Sequence, residues 1–355
     1  MRPIGLCVDQ LRRPTPGGIG TYIRGLTAGL GALPEADRLP IVLRASRGPR
    51  EVLPPGVPVD LSMLPAVGLT RWWDLPLSRR SGKYAAVHAA SLSTPPPAGV
   101  PLAVTVHDLA WREVPDAYPE RGRRWHESAL LRAARRADAF VVPSRQTAAE
   151  LEEAITAARR ITVIPHGSDH LPPPDEEATG AFLRRAGVGG EFILAVGTLE
   201  PRKNLQRLFR GYSAVRKDLD GAELLVVGPV GWGEGVHPVA GVVLAGPASP
   251  GVLAGLYARC RCTAYVPLTE GFGLPVLEAM AAGAPVVSSD VPSAAGASLL
   301  VDPLDEDAIG AGLVTAAADG ARRSELVRLG TAHAASLTWE ASAAAHVGLW
   351  KELVG

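Results

Sequence analysis

Three cysteines in 355 residues, Cys7, Cys260 and Cys262, are too few and too scattered for a disulfide framework. Cys260-Arg261-Cys262 lacks a second ligand pair, so it reads as buried thiols and not as a metal site. No apolar run approaches the roughly 20 residues a helix needs to span a bilayer. Nothing resembling a signal peptide precedes the first strand-like run, Ile4–Val8. The expectation is a cytoplasmic chain, membrane-associated at most by peripheral contact. Net charge is zero, and no nucleic-acid partner is expected. No complete Gly-x-Gly-x-x-Gly is present, which counts against a dinucleotide-dependent oxidoreductase. No Asp-x-Asp pair stands at a strand end, and His166 and His170 flank an Asp ahead of a proline run, so no metal site is expected.

The charge that is present is unevenly placed. Residues 1–170 hold 22 Lys and Arg against 16 Asp and Glu; residues 171–355 hold 14 against 20. The first half is therefore suited to an anionic partner, such as an anionic acceptor or the inner face of a membrane. The mixed basic and aromatic run at residues 70–80 has the same two readings, membrane-facing helix or helix packed within the domain. The length suits two domains, each large enough for its own core.

Strand-like and helical patterns alternate along both halves. Ile4–Val8 is followed by a Gly17-Gly18 loop and by Ile19, Ile23, Leu26 and Leu30 at helical spacing. Residues 47–66, rich in Pro and Gly, read as a loop with a short strand. Leu102–Val106 is a buried strand that ends at His107-Asp108. Ligands in open α/β sheets bind beyond the carboxyl ends of strands, so His107 is either a functional histidine or a satisfied structural one. The Pro-rich stretch 171–189 reads as a linker. The alternation resumes at Phe192–Val196, which runs into Glu200-Pro201-Arg202-Lys203-Asn204. These patterns predict an α/β chain of two Rossmann-like βαβ domains facing a cleft. The domains are 1–170 on the acceptor side, a linker at 171–189, and 190–336 on the donor side. A last helix within 337–355 is expected to cross back and pack on the N-terminal domain.

Glu270-Gly271-Phe272-Gly273-Leu274-Pro275-Val276-Leu277-Glu278 holds two carboxylates around a glycine-rich loop that enters a helix. Pro275 suits the first helical position, and the glycines allow close backbone approach. A helix N-terminus attracts phosphate. A tight strand-to-helix turn with solvated glutamates explains the same spacing. Arg202-Lys203 at a strand end offers a fork and a compact charge for a diphosphate, or an ordinary surface pair.

Together, residues 200–204 and 270–287, with Val106–Leu109, Pro143-Ser144 and Ile164–Gly167, resemble the family 4 retaining glycosyltransferases of the GT-B fold, in a mannosyltransferase-like form. The resemblance covers essentially the whole chain. It implies that Glu278 holds the nucleotide ribose and that Glu270 contacts the donor sugar. Gly271, Phe272, Gly273 and Leu274 would lie near sugar hydroxyls and phosphate. Arg202 and Lys203 would hold the diphosphate and stabilise the leaving charge. Gly17 and Gly18 would approach the diphosphate from the other domain, and His107 would lie at the reaction centre. The implied catalytic set is His107, Glu270, Arg202 and Lys203, with no metal and no cofactor.

The implied reaction moves a hexose, mannose favoured, from a nucleotide-diphosphate sugar to a glycan, lipid-linked or small-molecule acceptor. GDP-mannose is favoured over a UDP-hexose. The alternatives are a UDP-hexose-using transferase and a nucleotide-sugar-binding protein with degenerate catalysis. One segment departs from the family: after Asp290, Val291–Gly296 is short, which bears on base specificity. Acceptor contacts are expected from the loops at 10–16, 66–83 and 109–120.

Overall fold

The computed structural model describes residues 2–73, 82–96, 99–155, 159–233, 235–318 and 320–355. Of the basic and aromatic run, residues 74–80 lie outside these. The chain divides into two units, Met1–Leu109 with Glu120–Gly167 and Thr338–Gly355, and Ala110–Pro119 with Ser168–Leu337.

The first unit is built on a parallel sheet of seven strands among the described residues. They are β1 (Ile4–Cys7), β2 (Ile41–Arg47), β3 (Val59–Pro65), β4 (Ala86–Ala89), β5 (Leu102–Thr105), β6 (Ala139–Val142) and β7 (Arg160–Val163), ordered β3-β2-β1-β4-β5-β6-β7. The central strands are buried along their whole length and mostly apolar, as parallel strands covered on both faces are, with His88 of β4 and Thr105 of β5 as the buried polar exceptions. The Pro- and Gly-rich region read as a loop with a short strand contains that strand as β3, half-exposed at the sheet edge and paired with β2.

Helix Gly17–Ala32 buries Tyr22, Ile23, Leu26 and Leu30. Against it lies helix Trp339–Val354, started by the Thr338 hydroxyl, which accepts from the Ala341 amide at 3.1 Å. Glycine makes this packing feasible. A Cβ on Gly29 would stand 2.1 Å from the Trp339 carbonyl oxygen, one on Gly25 2.1 Å from the Trp339 ring, and one on Gly167 2.2 Å from the Trp339 nitrogen. Residues Thr338–Gly355 thus return to the first unit.

The second unit carries β8 (Phe192–Val196), β9 (Glu223–Val227), β10 (Val242–Gly246), β11 (Thr263–Tyr265), β12 (Val286–Ser288) and β13 (Leu299–Leu300), parallel and ordered β10-β9-β8-β11-β12-β13. Its core joins Ile193, Leu224 and Val226 of the sheet to Leu208, Phe209, Ile309 and Leu313 of the covering helices. Two expected boundaries differ. The stretch 171–189 is not a bare linker: it contains a helix, Glu176–Ala186, capped by Asp175 and ended by Gly187 in the left-handed conformation. Residues 110–119, leaving β5 of the first unit, belong to the second unit. No helix among the described residues is long and apolar enough to cross a membrane.

Candidate functional site

In each sheet the strand order reverses between two central strands, and residues just beyond their carboxyl ends share one edge. In the second unit those strands are β8 and β11. The loop after β8 carries Arg202 and Lys203 in a single 3₁₀ turn, Pro201–Lys203. The loop after β11 carries Glu270. Asn204 knits the two: in a left-handed backbone (φ 57°), its side-chain amide donates to the Val266 carbonyl at 3.0 Å and to the Pro303 carbonyl at 2.7 Å. The Leu268 amide donates to the Arg202 carbonyl at 2.9 Å. Gly228 is required at the neighbouring strand end, because a Cβ there would meet the Gly197 carbonyl oxygen at 2.0 Å.

The Arg202 guanidinium is buried. One nitrogen donates to Glu270 Oε2 at 2.7 Å and to the Thr269 carbonyl at 3.2 Å; the other donates to Glu200 Oε1 at 2.9 Å. Lys203 Nζ donates to the same Glu270 oxygen at 2.5 Å and to the Tyr265 hydroxyl at 2.7 Å, and that hydroxyl donates to Glu270 at 2.6 Å. Burial by itself pushes the Glu270 carboxyl up. The Arg202 and Lys203 charges, with hydrogen bonds from Lys203 and Tyr265, outweigh burial and hold it at about 2. Burial pulls the Lys203 ammonium below its ordinary range, opposed chiefly by Glu270. Burial raises Glu200 despite Arg202 beside it. Two cations and two carboxylates therefore neutralise one another in a buried cluster.

Helix Leu274–Ala281 starts from Gly273, whose φ of 97° favours glycine, and a Cβ there would strike the Ser293 hydroxyl at 2.8 Å. Pro275 is the second helical residue, not the first as expected. Glu278 faces inward from this helix: its Oε1 pairs with His170 Nε2 at 2.8 Å and its Oε2 accepts from Tyr257 at 2.9 Å. The short Val291–Gly296 segment is fastened to the same loop. The Ser293 amide donates to the Phe272 carbonyl at 2.9 Å, and the Ser293 hydroxyl donates to that of Gly273 at 2.7 Å.

The structure thus brings Arg202, Lys203, Glu270, Gly271, Phe272, Gly273, Leu274 and Glu278 to one edge of the second unit. The partners His170, Tyr257 and Tyr265 escaped the reading of the sequence. Tyr265 carried a usable signal, since it closes β11 five residues before Glu270. His170 carried none beyond its neighbourhood to His166.

In the first unit His107 follows the carboxyl end of β5, whereas Gly17 and Gly18, expected in a loop after β1, are the first two residues of helix Gly17–Ala32, separated from β1 by the 3₁₀ turn Asp9–Arg12. His107 Nε2 bonds the Ala90 carbonyl at 2.9 Å, and its ring meets Tyr22 edge to face with centroids 5.0 Å apart. Burial lowers its basicity, partly offset by the Ala90 carbonyl and by Asp108. Behind it, burial pushes His346 down to about 4 from an ordinary 6.5. Because the unfolded chain binds the proton more readily, His346 contributes stability that is complete above about 6.5 and is lost as pH falls towards 4. The amount is about 3 kcal/mol. His88, stacked on His346 at 5.5 Å and also facing His107, acts in the same direction. Urea unfolding from pH 7 to pH 4 should show this loss, and His346→Gln should flatten it; an equally steep loss in the variant would refute the assignment.

Residues 190–319 match the family described as glycosyl transferases group 1, and residues 16–170 match glycosyltransferase family 4. An O-antigen chain mannosyltransferase B of Escherichia coli is 30% identical over 252 residues, 66% of this chain and 66% of that protein. A D-inositol 3-phosphate glycosyltransferase of Segniliparus rotundus is 31% identical over 270 residues, 69% of this chain and 59% of that one. The matched stretches therefore span about three fifths to two thirds of these relatives. Among solved structures, sucrose-phosphate synthase from Thermosynechococcus elongatus superposes with a TM-score of 0.74 at 20% identity, covering 99% of each chain. Anabaena Alr3699/HepE, solved in complex with UDP-glucose, gives 0.69 at 17% identity over 99% of this chain and 100% of that one. The likeness to these structures establishes the fold, two Rossmann-like α/β domains of the GT-B type.

Proposed function

The chain belongs to the family 4 glycosyltransferases, with a second half of the group 1 type, and on that premise we propose that it is a retaining hexosyltransferase using a nucleotide-diphosphate sugar. The observation that carries this reading is the cluster of Arg202, Lys203, Tyr265 and Glu270 beside a glycine-started helix. Two buried cations bonded to the loop that leads into helix Leu274–Ala281 suit a diphosphate, and the carboxylate that now occupies them becomes available to sugar hydroxyls once phosphate oxygens take its place. Glu278, fixed by His170 and Tyr257, is assigned to the ribose hydroxyls. His107 is assigned to the reaction centre, and Gly17 and Gly18 to the diphosphate.

In this mechanism the bond from the anomeric carbon to the β-phosphate oxygen breaks while an acceptor hydroxyl forms its new bond on the same face. The acceptor's proton leaves with the departing phosphate. Arg202 and Lys203 supply the positive charge that the departing diphosphate needs, which is why no metal or cofactor is assigned. Mannose from GDP-mannose is the favoured transfer, on the likeness to a mannosyltransferase; a UDP-hexose is second. A glycan, lipid-linked or small-molecule acceptor is assigned to the first unit. Peripheral membrane contact by a cytoplasmic enzyme is part of the proposal, supported by the exposed Met63 and Val67 at the end of β3 and the start of helix Ala66–Trp73.

A panel of nucleotide sugars, followed by nucleotide release and thermal shift, tests the reading; anionic vesicles added to the same assay test membrane contact by co-sedimentation. Stabilisation by one nucleoside diphosphate with turnover is expected. Stabilisation without turnover on any acceptor would favour a binding protein, and no stabilisation at all would sink the proposal. Glu278→Ala should weaken nucleotide binding about tenfold or more, whereas His107→Ala should leave binding intact and lower turnover. Full activity in His107→Ala would remove that residue from the reaction centre.

A further inference from the structure

We propose that Tyr22 is a positioning residue for His107, held in place by a one-way chain of hydrogen bonds that begins and ends on the helix Trp339–Val354. The proposal rests on the assignment of His107 to the reaction centre.

The direction of the chain follows from its ends. His346 Nδ1 lies 2.7 Å from the Ser342 carbonyl, which only accepts, so Nδ1 carries the proton. In a neutral ring Nε2 is then an acceptor, and the Tyr22 hydroxyl, 2.9 Å away, donates to it. Having spent its proton, the Tyr22 oxygen accepts from the Thr105 hydroxyl at 2.9 Å. The Thr105 oxygen in turn accepts from His88 Nε2 at 2.7 Å. That leaves His88 Nδ1 to accept the Trp350 indole proton at 3.0 Å. Tyr22, His88, Thr105, His346 and Trp350 are all fully buried. Burial keeps both histidines neutral, as the chain requires. A proton on either ring would turn an acceptor into a donor and place two donors face to face.

A tyrosine whose hydroxyl is held at both sides has no rotamer to move to. Its ring therefore forms a fixed wall against His107, at 5.0 Å and 75°. His166 closes a second side, 5.6 Å from His107 and stacked 5.6 Å from Trp339 at the start of the same terminal helix. The Ala90 carbonyl, an acceptor, fixes the proton of His107 on Nε2, which leaves Nδ1 as the acceptor nitrogen. If the wall yields, the ring can turn over and present a donor where a sugar hydroxyl needs an acceptor. The terminal helix therefore acts on the reaction through Tyr22, some 320 residues away in sequence.

Tyr22→Phe tests this, because it keeps the ring and removes the hydroxyl. Turnover should fall about tenfold, while the KM for donor and the thermal shift with nucleoside diphosphate stay within about twofold. The ¹⁵N resonances of His107 should move from the pure Nε2–H tautomer towards a mixture. His346→Gln, whose amide oxygen can accept from Tyr22, should restore most of what His346→Leu loses. Should Tyr22→Phe unfold, Thr105→Val against Thr105→Ser asks the same question. Unchanged turnover with an unchanged His107 tautomer would overturn the proposal, as would a loss of turnover matched by an equal loss of donor binding. If His107→Ala itself keeps full turnover, the assignment of His107 fails instead, and the tautomer signal still reports whether Tyr22 sets its ring.

Discussion

An Arg202→Ala variant loses turnover by about three orders of magnitude and about 3 kcal/mol of stability. Both losses follow from the same geometry. The guanidinium spans Glu200 on one side and Glu270 and the Thr269 carbonyl on the other. Alanine leaves two buried carboxylates with only Lys203 between them, and it removes one of the two charges assigned to the departing diphosphate. A lysine there is a poor substitute, because a single ammonium cannot reach both carboxylates as a fork does. The pH dependence gives the sharper test. In the parent protein Glu270 sits at about 2, so its contribution is present above about 4.5 and is lost as pH falls towards 2. Removing Arg202 takes away the largest charge that holds Glu270 down, so this contribution shrinks in the variant. The stability gap between parent and variant should therefore narrow as pH falls from about 4.5 towards 2 in urea unfolding. A constant gap, or a loss of turnover under tenfold, would contradict this account.

The second large effect is expected at a residue with no side chain. Gly29→Ala should destabilise the first unit by about 3 kcal/mol, although alanine in a helix interior ordinarily gains up to about 1 kcal/mol over glycine. The sign is decided by what the methyl group meets. At Gly29 it would stand 2.1 Å from a backbone carbonyl, which cannot turn aside as a side chain can, so the start of helix Trp339–Val354 must move. Gly31 lies in the same helix, and a Cβ there meets nothing within 4 Å. Gly31→Ala is therefore the control and should be neutral or stabilising. Hydrogen exchange along residues 339–354 reads the result directly. If the two variants show equal protection there, the close approach is not what holds the terminal helix.

What the sequence discloses follows physical range. The alternation of strand and helix, and the residues at strand ends, are local patterns, and they located Arg202, Lys203 and Glu270 without reference to any partner. The partners are long-range facts. His170 meets Glu278 across 108 positions and Tyr22 meets His346 across 324, and no local periodicity encodes such pairs. Tyr22 falls on the same helical stripe as Ile23 and Leu26 and looks like core. Its hydroxyl becomes informative only when the residue opposite is known. The stretch 171–189 misled for a different reason: its prolines mask a helix whose start rests on one capping aspartate, Asp175. By contrast, the short strand expected within residues 47–66 is present as β3, an edge strand that tolerates proline and partial exposure.

The return of residues 338–355 to the first unit has a consequence for how the protein is made. The strands and helices that surround Tyr22, Thr105 and His88 leave the ribosome long before residues 339–354 do, at a pace of about 5–20 residues per second. Throughout that interval the socket for the terminal helix is open, with buried-type hydroxyls and imidazoles exposed and an apolar trough lined by Gly25 and Gly29. The first unit cannot mature in the order in which it is synthesised. A nascent chain halted before residue 339 presents that unfilled socket, a surface suited to chaperone engagement and, failing that, to proteolysis.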